Sequence, residues 1–347
     1  MESSVGYAYE AARDRLLPRV EAALQEFLDR RQAAPAHYGM MRYHLGWADE
    51  SLSPIAAPVG KRLRPLLCLL TTEGCAGDAE TALPAAIALE LLHNFTLIHD
   101  DIEDGDALRH HRPTVWKLWG EPQAINAGDG MHVLAHLALL DLVRHDVPTE
   151  RVLSLARRLA QTSLVITEGQ HLDIAFERRE DVTPAEYLDM IGRKSAALIG
   201  CAAVMGAEIA GAPDDVCTAL ERFGADLGMG FQIRDDVLGI WGRAETTGKP
   251  AGDLRRRKKT LPSLYALNRS PAEERSVFAR LFASSEPDER AVDDVLEMLE
   301  RHGARHHCEK MVGRYSAAAR DRLTALPESS ARSALEALVD QLETRES

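Results

Sequence analysis

Two apolar runs that end in clustered carboxylates constrain this 347-residue chain more than any other feature. The first, residues 91–104, passes through Leu91, Leu92, Phe95, Leu97 and Ile98 into Asp100-Asp101-Ile102-Glu103-Asp104. The second, residues 230–239, passes through Phe231 and Ile233 into Asp235-Asp236. On a helix Asp100 and Asp104 stand one turn apart on one face with Asp101 beside them, and Gln232 shares a face with Asp235 and Asp236. Carboxylates held about 5–6 Å apart on a helix repel, so one tends to stay protonated unless a cation intervenes. Leaving them unpaired at the end of a buried helix is costly. A hard divalent ion answers both problems, and Mg2+ commonly bridges a few carboxylates and substrate phosphates. Only a tertiary fold can bring such distant clusters together. The expectation is that they face each other across one cavity and hold Mg2+ against a diphosphate.

The remaining pattern is helical. Apolar residues recur at helical spacing over residues 7–31, as at Leu16, Leu17, Val20, Leu24 and Leu28. The same spacing holds over roughly 124–144, 149–176 and 214–241. Thr183-Pro184-Ala185-Glu186 is a capping box with proline at the first helical position, opening a helix to about Ala210. Ser270-Pro271-Ala272-Glu273 repeats that signature. Pro84 reads as the start of the helix bearing the first acidic cluster. Pro35, Pro54 and Pro58 read as breakers in a looser stretch over 32–60, and 242–260 reads as a loop. Strict alternation is absent, as is any linker long enough to divide the chain. The predicted fold is one all-α domain over residues 1–347, a bundle of ten or more helices around a central apolar cavity.

Charge narrows the function. A formal net charge of -13 argues against a nucleic-acid partner, because that affinity rests on neutralising phosphates. Against this background the local basic clusters stand out: Lys61, Arg62 and Arg64; Arg109 and Arg112; Lys249; and Arg255 through Lys259. They read as phosphate capture. Lys194 lies inside an apolar helix and is read as reaching an anion rather than snorkelling to solvent. Five cysteines without a CxxC pair suit a reducing cytosol, and no signal peptide or uninterrupted membrane-spanning stretch is expected. His132 and His136 are four apart but lack HExxH, so a zinc pair is not expected. His302, His306, His307 and Cys308 read as an exposed helix end. Walker, GxGxxG and GxSxG motifs are all absent.

These residues resemble the trans-isoprenyl diphosphate synthases (polyprenyl synthetases) over most of residues 50–270. The family's first aspartate-rich motif, DDxxD, stands as Asp100-Asp101-Ile102-Glu103-Asp104, and its second as residues 232–239. Smaller signatures follow in order: Gly60-Lys61-Arg62-Leu63-Arg64-Pro65, Glu90-Leu91-Leu92-His93, Gly169-Gln170-His171-Leu172-Asp173, Lys194-Ser195, Gly248-Lys249-Pro250 and Lys258-Lys259-Thr260.

The resemblance implies that Asp100, Asp104 and Asp235 hold Mg2+ on an allylic diphosphate, with Asp101 and Asp236 beside them in the catalytic set. It implies that Arg109, Lys194, Lys249 and Lys258 neutralise the diphosphate, with Ser195 and Gln232 as hydrogen-bond partners. Isopentenyl diphosphate would be held by Lys61, Arg64 and His93. Three departures stand out: Gly239 replaces the third acid of the second motif, Ser195 replaces threonine, and Arg109-His110-His111 replaces Arg-Arg-Gly. His110 thus stands where a second arginine often meets isopentenyl diphosphate, with Arg112 as a possible substitute. Phe95 and Thr96, with no insertion in DDxxD, resemble geranylgeranyl synthases. A geranylgeranyl product is expected, farnesyl being the runner-up, and a homodimer is the family default. The rivals are a terpene cyclase or head-to-head condensing enzyme, whose motifs are missing, and a non-catalytic subunit of a hetero-oligomeric synthase.

Overall fold

The computed structural model describes residues 4–55, 60–242, 251–283 and 289–344. The chain opens with α1 (Ser4–Asp29) and α2 (Pro35–His44). Pro35 starts α2 at its first turn rather than breaking a helix, since the missing N–H is one the first turn leaves unbonded. Next come α3 (Leu63–Gly74) and α4 (Ala79–Glu103), the helix that carries the first acidic cluster. It begins five residues before Pro84, because the Asp78 carboxylate accepts from Glu80 N at 3.0 Å and caps it. Pro84 therefore lies inside the helix.

After α4 the chain makes a minimal antiparallel hairpin, β1 (Leu108–Arg109) and β2 (Arg112–Pro113), where the sequence showed no strand pattern. Its two turn residues, His110 and His111, both have positive φ, +50° and +63°, as a tight two-residue hairpin requires. The Tyr43 hydroxyl donates to Pro113 O at 2.7 Å and ties the hairpin to α2.

The chain continues through α5 (Val115–Trp119), α6 (Glu121–Leu140), α7 (Thr149–Glu177), α8 (Pro184–Ile191), α9 (Ala197–Ala210) and α10 (Asp214–Trp241). It then forms α11 (Gly252–Arg255), α12 (Leu261–Arg269), α13 (Ala272–Ala283), α14 (Glu289–Arg301), α15 (Ala304–Leu323) and α16 (Ser330–Thr344). The capping box at Thr183 is formed. Ser270 instead spends its hydroxyl on the Ala266 carbonyl of the preceding helix, at 2.9 Å.

One large core joins α1 through α10 with α12, α15 and α16, and a smaller one gathers α11, α13 and α14 around Phe278 and Leu299. The spans Ala79–Glu103 and Pro184–Ala210 are apolar and long enough to cross a membrane, which no uninterrupted run in the sequence was expected to be. Their most apolar windows are 72% buried in the bundle, so core packing accounts for that apolarity. The all-α bundle is the fold expected from the spacing of apolar residues.

Candidate active site

The first acidic cluster occupies the last turn of α4. Asp100 Oδ1 accepts from Lys194 Nζ at 3.0 Å. Asp101 is 1% exposed, and its Oδ1 accepts from Arg109 Nε at 2.8 Å while its buried Oδ2 has no partner. Burial pushes the Asp101 carboxyl up to about 6 despite Arg109. Asp104 ends the helix; withdrawal from water and then the Asp100 charge push it up to about 6, against Lys194.

Lys194 owes its position to a local defect. Between α8 and α9 the helix widens into a π turn over Gly192–Ala196. Such bulges re-aim side chains and are common at functional sites. Opposite it, α7 passes with Gly169: a Cβ there would stand 2.3 Å from Lys194 N, so only glycine lets the two backbones meet. Lys194 Nζ also donates to Asp173 Oδ2 at 2.5 Å. Burial works against its ammonium, but Asp100 and Asp173 hold its pKa above the ordinary lysine value. The next residue, Ser195, donates to Gln232 Oε1 at 3.0 Å. Two consecutive side chains of one π turn thus touch the first motif at Asp100 and the second at Gln232.

Asp173 was absent from the expected site residues although it closes the Gly169-Gln170-His171-Leu172-Asp173 signature. Its spacing on α7 could have flagged it, but only contact with Lys194 shows which face it serves.

In the second motif the paired aspartates divide their work. Asp235 is exposed. Asp236 is 2% exposed and accepts from the Tyr187 hydroxyl at 2.7 Å and from Leu261 N at 3.0 Å. Burial pushes it up to about 6, opposed by Lys258 and these bonds. Asp101 and Asp236 are therefore anchored by the protein, while Asp100, Asp104 and Asp235 stand more open. Leaving water counts against the Lys258 ammonium, yet Asp236, Asp253 and Asp173 keep its pKa raised. Its neighbour Lys259 donates to the carbonyls of Phe176 and Glu177 at 2.7 and 3.0 Å and so caps α7. Lys249 lies outside the described residues.

A basic pocket lies beside the first cluster. Arg62 is spent on structure, bonding Glu21 Oε1 at 2.6 Å and Glu90 Oε1 at 2.8 Å. Arg64 keeps a buried Nε with no partner, and burial lowers its pKa to about 10. His93 is held well below the ordinary histidine range by burial and then by Arg64, Arg109 and His44. His44, which no motif marked, is pushed down to about 3 by burial and by Arg109, Arg62, His110 and Arg112. Burial first and the neighbouring guanidinium charges second keep both imidazoles neutral. Arg112 donates to the carbonyls of Tyr43 and Ala48 at 3.1 and 2.6 Å, which pins the hairpin. Lys61 and His110 are exposed at the margin.

On α4, Thr96 turns its hydroxyl to His93 O at 2.7 Å, and Phe95 is half-buried one and a half turns before Asp100. Of His302, His306, His307 and Cys308, only His306 is exposed as expected of a helix end. Cys308 is 0% exposed, His302 meets Glu274 Oε2 at 2.8 Å and His307 stacks on Tyr265, because α13 and α12 cover that face.

Among the described residues no group of three or more histidine, cysteine, aspartate or glutamate side chains is placed to hold a metal ion. Asp100 and Asp104 supply hard carboxylate oxygens, Asp100 Oδ1 already accepting from Lys194, and Asp101 Oδ2 is buried without a partner. That suits Mg2+, which keeps waters and substrate phosphate oxygens in its shell, so the residues fit this ion.

Residues 46–299 match the sequence profile described as polyprenyl synthetase. The chain is 43% identical over 270 residues to a (2E,6E)-farnesyl diphosphate synthase of Mycobacterium tuberculosis, covering 77% of this chain and 74% of that one. It is 46% identical over 230 residues to a geranylgeranyl diphosphate synthase of the same organism, covering 66% of this chain and 65% of that one. The crystal structure of a polyprenyl synthetase from Streptomyces coelicolor superposes with a TM-score of 0.86 at 35% identity, covering 98% of this chain and 99% of that one.

Proposed function

The chain belongs to the polyprenyl synthetase family and is a trans-prenyltransferase, and on that premise we propose that it joins isopentenyl diphosphate head-to-tail to allylic diphosphates as far as geranylgeranyl diphosphate. The observation that carries the proposal is the π turn of Lys194 and Ser195, which contacts Asp100 and Gln232. These contacts link the two remote motifs, which supports reading them as one diphosphate site.

Asp100, Asp104 and Asp235 would hold Mg2+, which when bound supplies positive charge to the leaving diphosphate. Lys194, Lys258 and, outside the described residues, Lys249 neutralise the same group, with Ser195 and Gln232 orienting it. On loss of the C–O bond the allylic cation forms away from water. Arg64, Lys61 and His93, with His44 and Arg109 beside them, hold the diphosphate of isopentenyl diphosphate so that its double bond attacks the cation. The departing diphosphate takes the proton released as the new double bond forms.

The product is the open part of the reading. Phe95 lies about 7.5 Å along α4 from Asp100 and is assigned to the end of the tail cavity, as in geranylgeranyl synthases. A farnesyl product is the second reading, favoured by the 43% identity to a farnesyl diphosphate synthase. We also propose a cytoplasmic homodimer. Val133, Leu137 and Leu140 on α6 share a face, as do Leu153, Leu164 and Ile174 on α7, and all six are exposed; an apolar surface of this kind suits a second copy. Incubating the purified protein with Mg2+, isopentenyl diphosphate and each allylic diphosphate tests the function. Elongated prenyl diphosphates are expected, and no turnover with any primer would favour a non-catalytic subunit.

A further inference from the structure

Both oxygens of Asp236 face protein donors. Its Oδ2 accepts from the Tyr187 hydroxyl at 2.7 Å and from Leu261 N at 3.0 Å, and its Oδ1 lies 3.4 Å from Gln232 Nε2. Tyr187 is itself 2% exposed. Burial first and the Asp236 charge second push its phenol well above the ordinary tyrosine value, so it stays a donor. A buried tyrosine hydroxyl needs a partner. This one finds it on another helix, in the residue next to Asp235.

The place of Tyr187 in the chain gives that bond its reach. It lies in the middle of α8, which runs into the π turn without a break, Gly192 keeping helical angles of -57° and -46°. Lys194 follows about two turns later, roughly 10 Å along the axis. Past this segment α10 runs antiparallel. Tyr187 meets Asp236 and Ser195 meets Gln232. Further on, a Cβ at Gly228 would stand 2.7 Å from Ala196 Cα, and one at Gly224 would stand 2.7 Å from Gly200 Cα. Beyond the π turn, therefore, the two helices touch backbone to backbone and cannot slide. Before it, side chains make the tie, and Lys194 stands between Tyr187 and Ser195. A π turn departs from regular helical bonding, so its shape depends on what holds its two ends.

We propose that Tyr187 is a positioning residue: through its bond to Asp236 it fixes α8 and the π turn in register with α10, so that Lys194 and the second motif address the same diphosphate. The proposal rests on the prenyltransferase reading for the identity of that diphosphate. Removing the hydroxyl alone leaves the ring packed but takes one donor from a buried carboxylate. The end of α8 is then free to pivot about the Ser195–Gln232 bond, and Lys194 moves against Asp100 and Asp173. The pocket of Lys61, Arg64 and His93 is built from α3, α4 and the turn before α3, so isopentenyl diphosphate binding is unaffected.

The test introduces Tyr187→Phe into wild type and into Lys194→Ala, under conditions where urea unfolding shows all four proteins folded. Two quantities are read: the Kd of inorganic pyrophosphate with Mg2+ by calorimetry, and kcat together with KM for isopentenyl diphosphate. In wild type, Tyr187→Phe is expected to raise the pyrophosphate Kd at least about fivefold and to lower kcat at least about tenfold, with KM for isopentenyl diphosphate within about twofold. In Lys194→Ala the same substitution should change the Kd and kcat by less than about twofold, because the group it acts through is gone. A hydroxyl that only satisfies the core would lower the unfolding free energy and leave both quantities unchanged, or act equally in both backgrounds. Either result overturns the proposal while leaving the prenyltransferase reading intact. An inert wild type would overturn that reading, and the pyrophosphate measurements alone would then decide the role of Tyr187.

Discussion

A Cβ added to Gly239 would stand 2.0 Å from Asp253 Oδ2. Gly239 is the position at which the second motif lacks its third acid, and Asp253 brings a carboxylate to that same place from the short helix that follows. Gly239→Asp would force two carboxylates into one space. We expect it to lower kcat/KM at least tenfold, about 1.4 kcal/mol. Adding Asp253→Gly should recover most of that loss. Steady-state kinetics of the two variants decides it, and a fully active Gly239→Asp would show that Asp253 leaves this position in solution.

Lys194 and Gly169 make a linked pair of expectations. Lys194→Ala leaves Asp100 and Asp173 facing each other without their shared cation, and should cost about 10²–10³-fold in kcat/KM, as loss of one preorganised charge donor does. Gly169→Ala drives a methyl into the backbone of the π turn, which should cost about 1–3 kcal/mol of stability and lower activity by displacing Lys194. Urea unfolding beside kinetics separates the two effects.

His44 supplies a pH signature away from the acidic clusters. Its pKa in the fold is pushed down to about 3, first by burial and then by Arg109, Arg62, His110 and Arg112. The unfolded chain therefore binds a proton there more readily than the native one. The stability tied to neutral His44 is present in full above the ordinary histidine value near 6.5 and is lost as pH falls toward about 3. Relative to His44→Leu, wild type should lose at most about 1.4 kcal/mol per pH unit below 6.5. Denaturant unfolding of both proteins between pH 7 and 4 measures the difference, and parallel curves would contradict it.

The exposed faces of α6 and α7 lead to an assembly test. Val133 is 57% and Leu164 60% exposed. Val133→Lys with Leu164→Glu should convert a dimer into a monomer in light scattering, with little change in the unfolding free energy of the monomer. A wild type that is monomeric at assay concentration would remove the homodimer from the proposal.

Much of this protein is legible residue by residue. The apolar spacing marks the long helices. The abrupt change from apolar to acidic side chains marks the ends of α4 and α10, and the capping box at Thr183 marks the start of α8 to the residue. Where the reading slipped, a tertiary or capping interaction outweighed local punctuation. Asp78 captured the start of α4 ahead of Pro84, Ser270 turned back to Ala266, and a minimal hairpin formed from residues with no strand pattern.

Local chain order alone settles which side chains share a helix face and which helix ends carry charge, because helical geometry repeats about every 3.6 residues. The packing of helices decided the rest. It chose Lys258 for the acidic site and Lys259 for the end of α7. It tied Asp101 to Arg109 and Asp236 to Tyr187 and Leu261 N, brought Asp173 to Lys194 across Gly169, and set His132 against Phe95. Periodicity records the face a residue is on, but which two faces meet depends on close-packed contacts between segments far apart in the chain.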